Sequence, residues 1–595
     1  MNYSLTHWTL NENTENLLFF AQRLLELSYN KSDFKEKNLK ISTLDLIDEL
    51  LNLLEFQTDK GEDGITHDFE ILLSELSDSV KTDDVIKKIL GDKKEIYLAS
   101  LVKGMDIKIL KNTLEVLKLK INPDKYYEET QEIIKTLISN NKNKDKLYQA
   151  TTRLFEFLTW YGYQQGTIYH LLNIHFFDKT GKKTITSPSD INDFFNFFDL
   201  EEKEFEVVFV ASKLYEEIKD SCERLGLFVY NTRPHIYNPN LENKFYSNNK
   251  NNKSFIVLKE VRAVDYLHAM KVAEKRVSLV SDLFVVFHHT RKPWYSNYCL
   301  VYKHDKRNVV SLNKPGNIMA SKNGDDFSYA KDIFPIFLRN FSLESDSFNR
   351  FNRGVELHAL SLETSEFASQ ILNFWICLEA LLITEKGKTH ISAVIDVIEL
   401  IVNRYCFREK LNGLATCIKH WDKDYRVKLE DSIPQHLKEL DDEEFIAALS
   451  CVEEYKEYAS LLLQRMTNAP LLRFKFMLIV KNMQDQNNLK KTLTHEIVRA
   501  TRDVRRIYRA RNKIVHQGNI NEHNEFIAEM AHYYLDLVLF CIIERKIYFN
   551  DIRSIDNLVN ELRISKQCHE KYLRECSDRK LTPSNYIGVL FGSQH

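Results

Sequence analysis

Apolar residues recur at three- and four-residue spacing through most of this chain, and one central stretch interrupts that rhythm. Between about residues 15 and 175, the segments "LLFFAQRLLEL", "LDLIDELLNLLEF", "ILKNTLEVLKLKI" and "LYQATTRLFEFLTWYG" each gather their apolar side chains on one side of a helix. Polar runs such as "NNKNKDK" (140–146) separate them, and no fixed-period repeat supports a solenoid. Helix breakers are scarce, with 16 Gly and 10 Pro in 595 residues. Average usage would give roughly 40 and 30. The expected fold class is mainly α, in about two to four domains.

The interruption lies between about 203 and 312. There "FEVVFV", "LFVYNT", "FIVLKEV", "LFVVFHH" and "YCLVY" read as strands, with "KLYEEIKDSCERLG" and "DYLHAMKVAEKRVSLV" as helices among them. The order predicts a split-βαβ, ferredoxin-like arrangement with one extra strand. "NKPGNIMASKNGDD" (313–326) marks the clearest boundary, and helical spacing resumes near 345. The predicted organisation is a helical N-terminal region (1–200), a small α+β domain (201–315), a linker (316–344), a helical bundle (345–550) and a tail (551–595).

The opening "MNYSLTHWTLNENTENLLFF" has no basic segment and no small-residue cleavage site, so no signal peptide is expected. The longest apolar run, Leu535–Ile543, is short for a bilayer and begins beside Asp536, so no membrane association is expected. The nine Cys show no paired spacing. Cys406, Cys417 and His420 form a C-x10-C-x2-H group that no second pair completes, so no metal and no cofactor is expected. Reduced thiols in a cytoplasmic protein fit this usage. "KGKT" (386–389) and "GKKT" (181–184) lack the first glycine of a phosphate-binding loop.

Charge points to one helix. Residues 490–513 carry nine Lys or Arg against two acids, a surplus of seven in a chain whose net charge is −3. A positive stripe of that kind suits a polyanion, and nucleic-acid phosphate is the commonest. Arg502, Arg505, Arg506, Arg509 and Lys513 are the candidate RNA contacts, or else a solvated charged face. The stripe runs into "RARNKIVHQG" (509–518), where Arg511, Asn512 and His516 precede a helix-ending Gly518. Arg–His spacing alone means little, since Arg262–His268, Arg353–His358 and Arg563–His569 share it. His516 could instead be a cation that favours the helix C-terminus. "FHHTRKPWY" (287–295) joins His, Arg and aromatics that could stack a base, or forms a loop at a strand end.

The surroundings separate the fourth pair from the others. "FWICLEALL" (374–382) supplies Trp375, Leu378, Glu379 and Leu381 in a W-x-x-L-E-x-L pattern. Tyr508, Arg511, Asn512, Val515, His516 and Gly518 complete Y-x-x-R-N-x-x-V-H-x-G. Together these resemble the HEPN superfamily, in its Apea-like branch, over roughly 345–550. The resemblance implies a metal-independent endoribonuclease, often an abortive-infection toxin in bacterial anti-phage defence. RNA, such as tRNA or mRNA, would be the substrate, and a phage-derived signal the trigger. Residues 1–340 would act as sensor or restraint.

Catalysis through the ribose 2′-OH needs a base, an acid and a cation. His516 can exchange a proton near neutral pH, Arg511 offers a charged fork to phosphate, and Asn512 can position phosphate, ribose or imidazole. Tyr508 and Glu379 are possible supports. Trp375 is expected in the core, with Glu379 paired to an arginine of the motif helix. On a regular helix Arg511 and His516 lie about 140° apart, so convergence requires the helix to end or bend between them. One motif supplies one histidine, and a homodimer or higher even oligomer would bring two together. The competing reading is a non-catalytic HEPN scaffold that binds RNA or protein.

Overall fold

The computed structural model describes residues 5–30, 32, 41–60, 67–140, 143–178, 184–234, 242–243, 245–246, 253–303, 308–314, 317, 319, 327–383, 389–518, 524–548, 552–575 and 580–591. The chain is mostly helical with one small antiparallel sheet. Helices from Glu15–Ser28 to Ile191–Phe195 build the N-terminal region around a core of their own. Glu15–Ser28 is buried on nearly every side, because neighbouring helices and Pro470–Met483 of the C-terminal bundle enclose it.

Five strands follow, β1 (Lys203–Ser212), β2 (Leu227–Tyr230), β3 (Lys253–Ala263), β4 (Tyr295–Lys303) and β5 (Val309–Asn313). Their order is β2-β3-β1-β4-β5, and every neighbouring pair is antiparallel. β1 sits in the middle and is buried along most of its length. Helix Tyr266–Phe287 covers one face through Ala269, Met270, Ala273 and Val277. Phe245 and Tyr246 pack on the other.

The expected strand "LFVVFHH" is instead the last part of that helix. Only Ser281 and Asp282, and no Gly or Pro, separate it from "KRVSLV", so hydrogen bonding propagates through the β-branched run until His288. The outer side of this extension leaves Val286 and Phe287 exposed. "FHHTRKPWY" therefore follows a helix rather than a strand. Its Lys292 pairs with Asp282 at 2.6 Å, and Lys253 Nζ lies 5.7 Å above the Trp294 ring.

Helix Phe327–Asn340 occupies the segment expected as a linker, and Phe337 joins the bundle core. The predicted tail contains helices Ile555–Glu575 and Tyr586–Phe591, whose Leu558, Leu562, Val589 and Phe591 complete the same core. Much of "NKPGNIMASKNGDD", and residues 519–523 after Gly518, lie outside the described residues.

In the bundle, helix Phe367–Leu382 lies against Ser345–Glu363, the motif helix Gln486–Gln517 and helix Asn524–Tyr548. Gly354 permits close approach of the first pair: a Cβ there would meet Leu381 Cδ1 at 3.2 Å. Arg350 donates to the carbonyls of Ala380, Leu381 and Ile383 at 2.8–3.1 Å, satisfying the end of that helix. Glu525–Ile547 is long and apolar enough to cross a membrane by length and composition, yet 72% of its apolar window is buried within the protein. It is the core helix of this bundle.

Candidate active site

The motif helix runs for 32 residues without Gly or Pro. The Asp485 side chain caps its start by accepting from Asn488 N at 2.9 Å. Gly518 ends it in the left-handed conformation (φ 60°, ψ 11°), donating to Ile514 O at 3.2 Å. The helix continues through both Arg511 and His516, so the expected bend between them does not occur. Regular geometry leaves their Cα positions about 140° apart around the axis.

His516 is exposed in the last turn of the helix. Arg511 is half-buried, and its Nη1 donates to Asn512 Oδ1 at 2.9 Å. Asn512 thus holds the guanidinium. The Tyr508 ring packs on Trp375, centroids 5.2 Å apart and tilted by 51°. Trp375 is wholly buried, with its indole N–H unpartnered. Glu379 lies 3.2 Å from His390 Nδ1, the place expected for an arginine of the motif helix.

The arginine stripe turns inward, toward the N-terminal region. Arg502 pairs with Asp78 at 2.8 Å, Arg506 with Glu75 at 2.8 Å, and Arg509 with Glu49 at 3.0 Å. Glu49 belongs to helix Thr43–Lys60, and Glu75 and Asp78 to His67–Thr82. The guanidinium side chains of Arg506 and Arg509 are only 4% and 8% exposed, so carboxylates rather than water solvate them. Burial opposes ionisation of Glu49, but Arg509, Arg506 and Lys513 outweigh it and hold the carboxyl below its ordinary range. Burial likewise opposes the charge on Arg506, yet Glu75, Glu49 and Asp503 raise its pKa. Asp503 has a raised pKa because burial exceeds the effect of Arg499 and Arg506, and it accepts from Tyr534 Oη at 2.9 Å. Arg505 and Lys513 are half-buried.

Further contacts extend this seam. Gln22 donates to Asn468 O at 2.9 Å and accepts from Leu471 N at 3.1 Å. Glu15 pairs with Arg473, Glu26 with Lys475, and the Phe19 and Phe474 rings meet edge to face at 5.3 Å. The partners Glu49, Glu75 and Asp78 carry no motif, and only the arginines' excess charge hinted that such partners were needed.

Cys222, Cys299, Cys377, Cys406, Cys451 and Cys541 are buried and outside any disulfide. Burial pushes the Cys377, Cys451 and Cys541 thiols up to about 12. Compared with known proteins, the chain matches no family model, no curated protein and no solved structure.

Proposed function

We propose that this chain is a cytoplasmic HEPN-type endoribonuclease, of the Apea-like kind, whose C-terminal bundle cleaves RNA without metal at Arg511, Asn512 and His516. The observation that carries the reading is the exposed His516 at the end of the motif helix, one and a half turns beyond an Arg511 oriented by Asn512. An imidazole takes the 2′-OH proton, the guanidinium offsets charge at phosphorus, and a second imidazole protonates the departing 5′ oxygen. The regular helix keeps Arg511 and His516 on different sides of one chain, which favours a composite site formed by a second copy. The α+β unit is read as ferredoxin-like with an added edge strand. An abortive-infection role fits a nuclease whose basic helix is engaged by another part of its own chain. The test is incubation of the purified full chain with total RNA in EDTA. Products ending in 2′,3′-cyclic phosphate or 3′-phosphate are expected; intact RNA under every triggering condition, or 3′-hydroxyl ends, would overturn the reading.

A second reading has a specific observation in its favour. Because Arg502, Arg506 and Arg509 are neutralised by carboxylates, the motif helix also serves as a docking surface for the N-terminal region, as a non-catalytic scaffold would. Combined Glu49→Gln and Asp78→Asn substitution separates the two. A restrained nuclease gains RNA affinity and cleavage, whereas a scaffold loses only interdomain contact.

A further inference from the structure

Three metal-ligating side chains meet elsewhere in the bundle. His358 projects from helix Ser345–Glu363, and His532 and Asp536 lie one turn apart on Asn524–Tyr548. His358 Nε2 is 3.3 Å from His532 Nε2 and 3.3 Å from Asp536 Oδ1, and His532 Nε2 is 3.4 Å from Asp536 Oδ2. The two imidazoles are nearly parallel at 8°, with centroids 5.4 Å apart. With Nε2 facing Nε2, they meet edge to edge rather than face to face.

His358 and His532 are within hydrogen-bond reach of each other, and the separations of the trio also match the edges of a metal site. An N–H···N or N–H···O hydrogen bond has its optimum near 2.9 Å, and a charge-assisted one is shorter, at about 2.7–2.9 Å. All three edges here are longer than that. Donors about 2.0–2.1 Å from a tetrahedral ion lie about 3.3–3.4 Å from one another, whereas the face of an octahedral magnesium-type site has edges nearer 3.0 Å. The trio therefore has the dimensions of one face of a zinc tetrahedron. Two imidazoles and one carboxylate are also a donor set that zinc-class ions accept readily.

We propose that His358, His532 and Asp536 bind one divalent zinc-class ion, leaving a fourth position for water or a small anionic ligand. The surroundings suit that assignment. The His532 side chain is 4% exposed and its ring packs on Phe374 at 5.2 Å, which fixes one ligand in a dry setting. The side chains of His358 and Asp536 are 21% and 18% exposed, so an ion has a route in from solvent and the fourth position has an outlet. Binding requires the two rings to turn toward the carboxylate, so that their lone pairs converge on one point. The ion would tie the first helix of the bundle to its core helix, across 174 residues of sequence.

The proposal does not rest on the ribonuclease reading, and its test uses the resting full chain without RNA. The chain is stripped with EDTA, freed of chelator and titrated with Co²⁺ as a spectroscopic probe, followed by Zn²⁺ displacement. One equivalent of cobalt is expected to give the intense visible bands of a tetrahedral site, and zinc to abolish them. His358→Ala and Asp536→Asn, both at the rim, should fold as judged by circular dichroism and melting. Each should weaken binding by more than the 10–100-fold that loss of an outer-shell partner costs. No band and no zinc uptake by wild type overturns the proposal, as does binding unchanged in both variants. Weak octahedral-type bands overturn the tetrahedral assignment.

Discussion

Arg509 Nε donates to Glu49 Oε1 at 3.0 Å, joining residues 460 positions apart in a contact largely closed to water. The same helix surface that a phosphate backbone would need is thereby occupied by carboxylates. Beside it, Arg506 and Glu75 form an even more buried pair, while Asp78 of the Arg502 pair is half exposed.

That gradient predicts unequal costs. Glu75→Gln takes the nearest carboxylate from the buried Arg506, leaving Asp503 at 3.7 Å, and is expected to destabilise by about 2–3 kcal/mol. Asp78→Asn removes a solvent-screened partner and should cost less than about 1 kcal/mol. Urea melts of the two variants check the difference, and equal midpoints would sink it.

Removing the proton-transfer group should silence cleavage without unfolding the bundle. His516→Ala is expected to lower the cleavage rate by at least about 10²-fold, since general acid–base transfer contributes 10²–10⁴. Because His516 is exposed, the melting temperature should stay within about 2 °C of wild type, as surface substitutions usually do. Full activity in this variant would end the catalytic assignment.

Asn512 is expected to act through Arg511. Asn512→Ala frees the guanidinium from its 2.9 Å contact and should cost about tenfold to a hundredfold in rate, the scale of a misplaced catalytic group. Arg511→Lys should not restore function, because an ammonium lacks the planar fork. Single-turnover rates distinguish this from weakened RNA binding, which would leave the saturated rate unchanged.

Acid should part the N-terminal region from the bundle. Burial opposes ionisation of Glu15, Glu26 and Glu49, but bundle cations (Arg473, Lys475 and Arg509), with Lys144 and Arg23, reverse the balance and lower all three pKa values. A carboxyl whose folded pKa lies below its unfolded value, near 4.5, stabilises fully above that value and ceases to do so as pH falls through the folded one. Asp503, with its raised pKa, has the opposite sign, but Arg499, Arg506 and Tyr534 beside it all lie in the bundle. Limited proteolysis between pH 7 and pH 3 should show the seam opening below about 4.5, before the bundle melts. Simultaneous loss of both would contradict this.

A composite site predicts subunit poisoning. With excess His516→Ala chains, activity per wild-type chain should fall as mixed dimers form. An active monomer by sedimentation, or no effect despite proven exchange, would exclude a site shared between copies.

Legibility in the sequence followed the range of the interactions. Helices such as Glu15–Ser28 and Gln486–Gln517 were readable because period and capping are local properties. Four of the five expected strands formed strands. "LFVVF" did not, because strand propensity there yielded to a helix already anchored by Asp265 and packed on the sheet. The motif residues could be named in advance, whereas the engagement of Arg506 and Arg509 by Glu75 and Glu49 could not, since no spacing relates residues so far apart. His532 and Asp536 stand four apart on one helix, but His358 joins them only through the packing of two helices, so no local pattern marked the trio.

The long reach between Gln22 or Glu49 and their partners also orders events during synthesis. The N-terminal helices leave the ribosome more than 400 residues ahead of the strand of chain they clasp, as the separations of 446 and 460 residues show. At about 5–20 residues per second that is a lead of roughly 20–90 s. Their carboxylates are therefore translated well before the arginine helix, and anions of the same chain are at hand when that helix emerges.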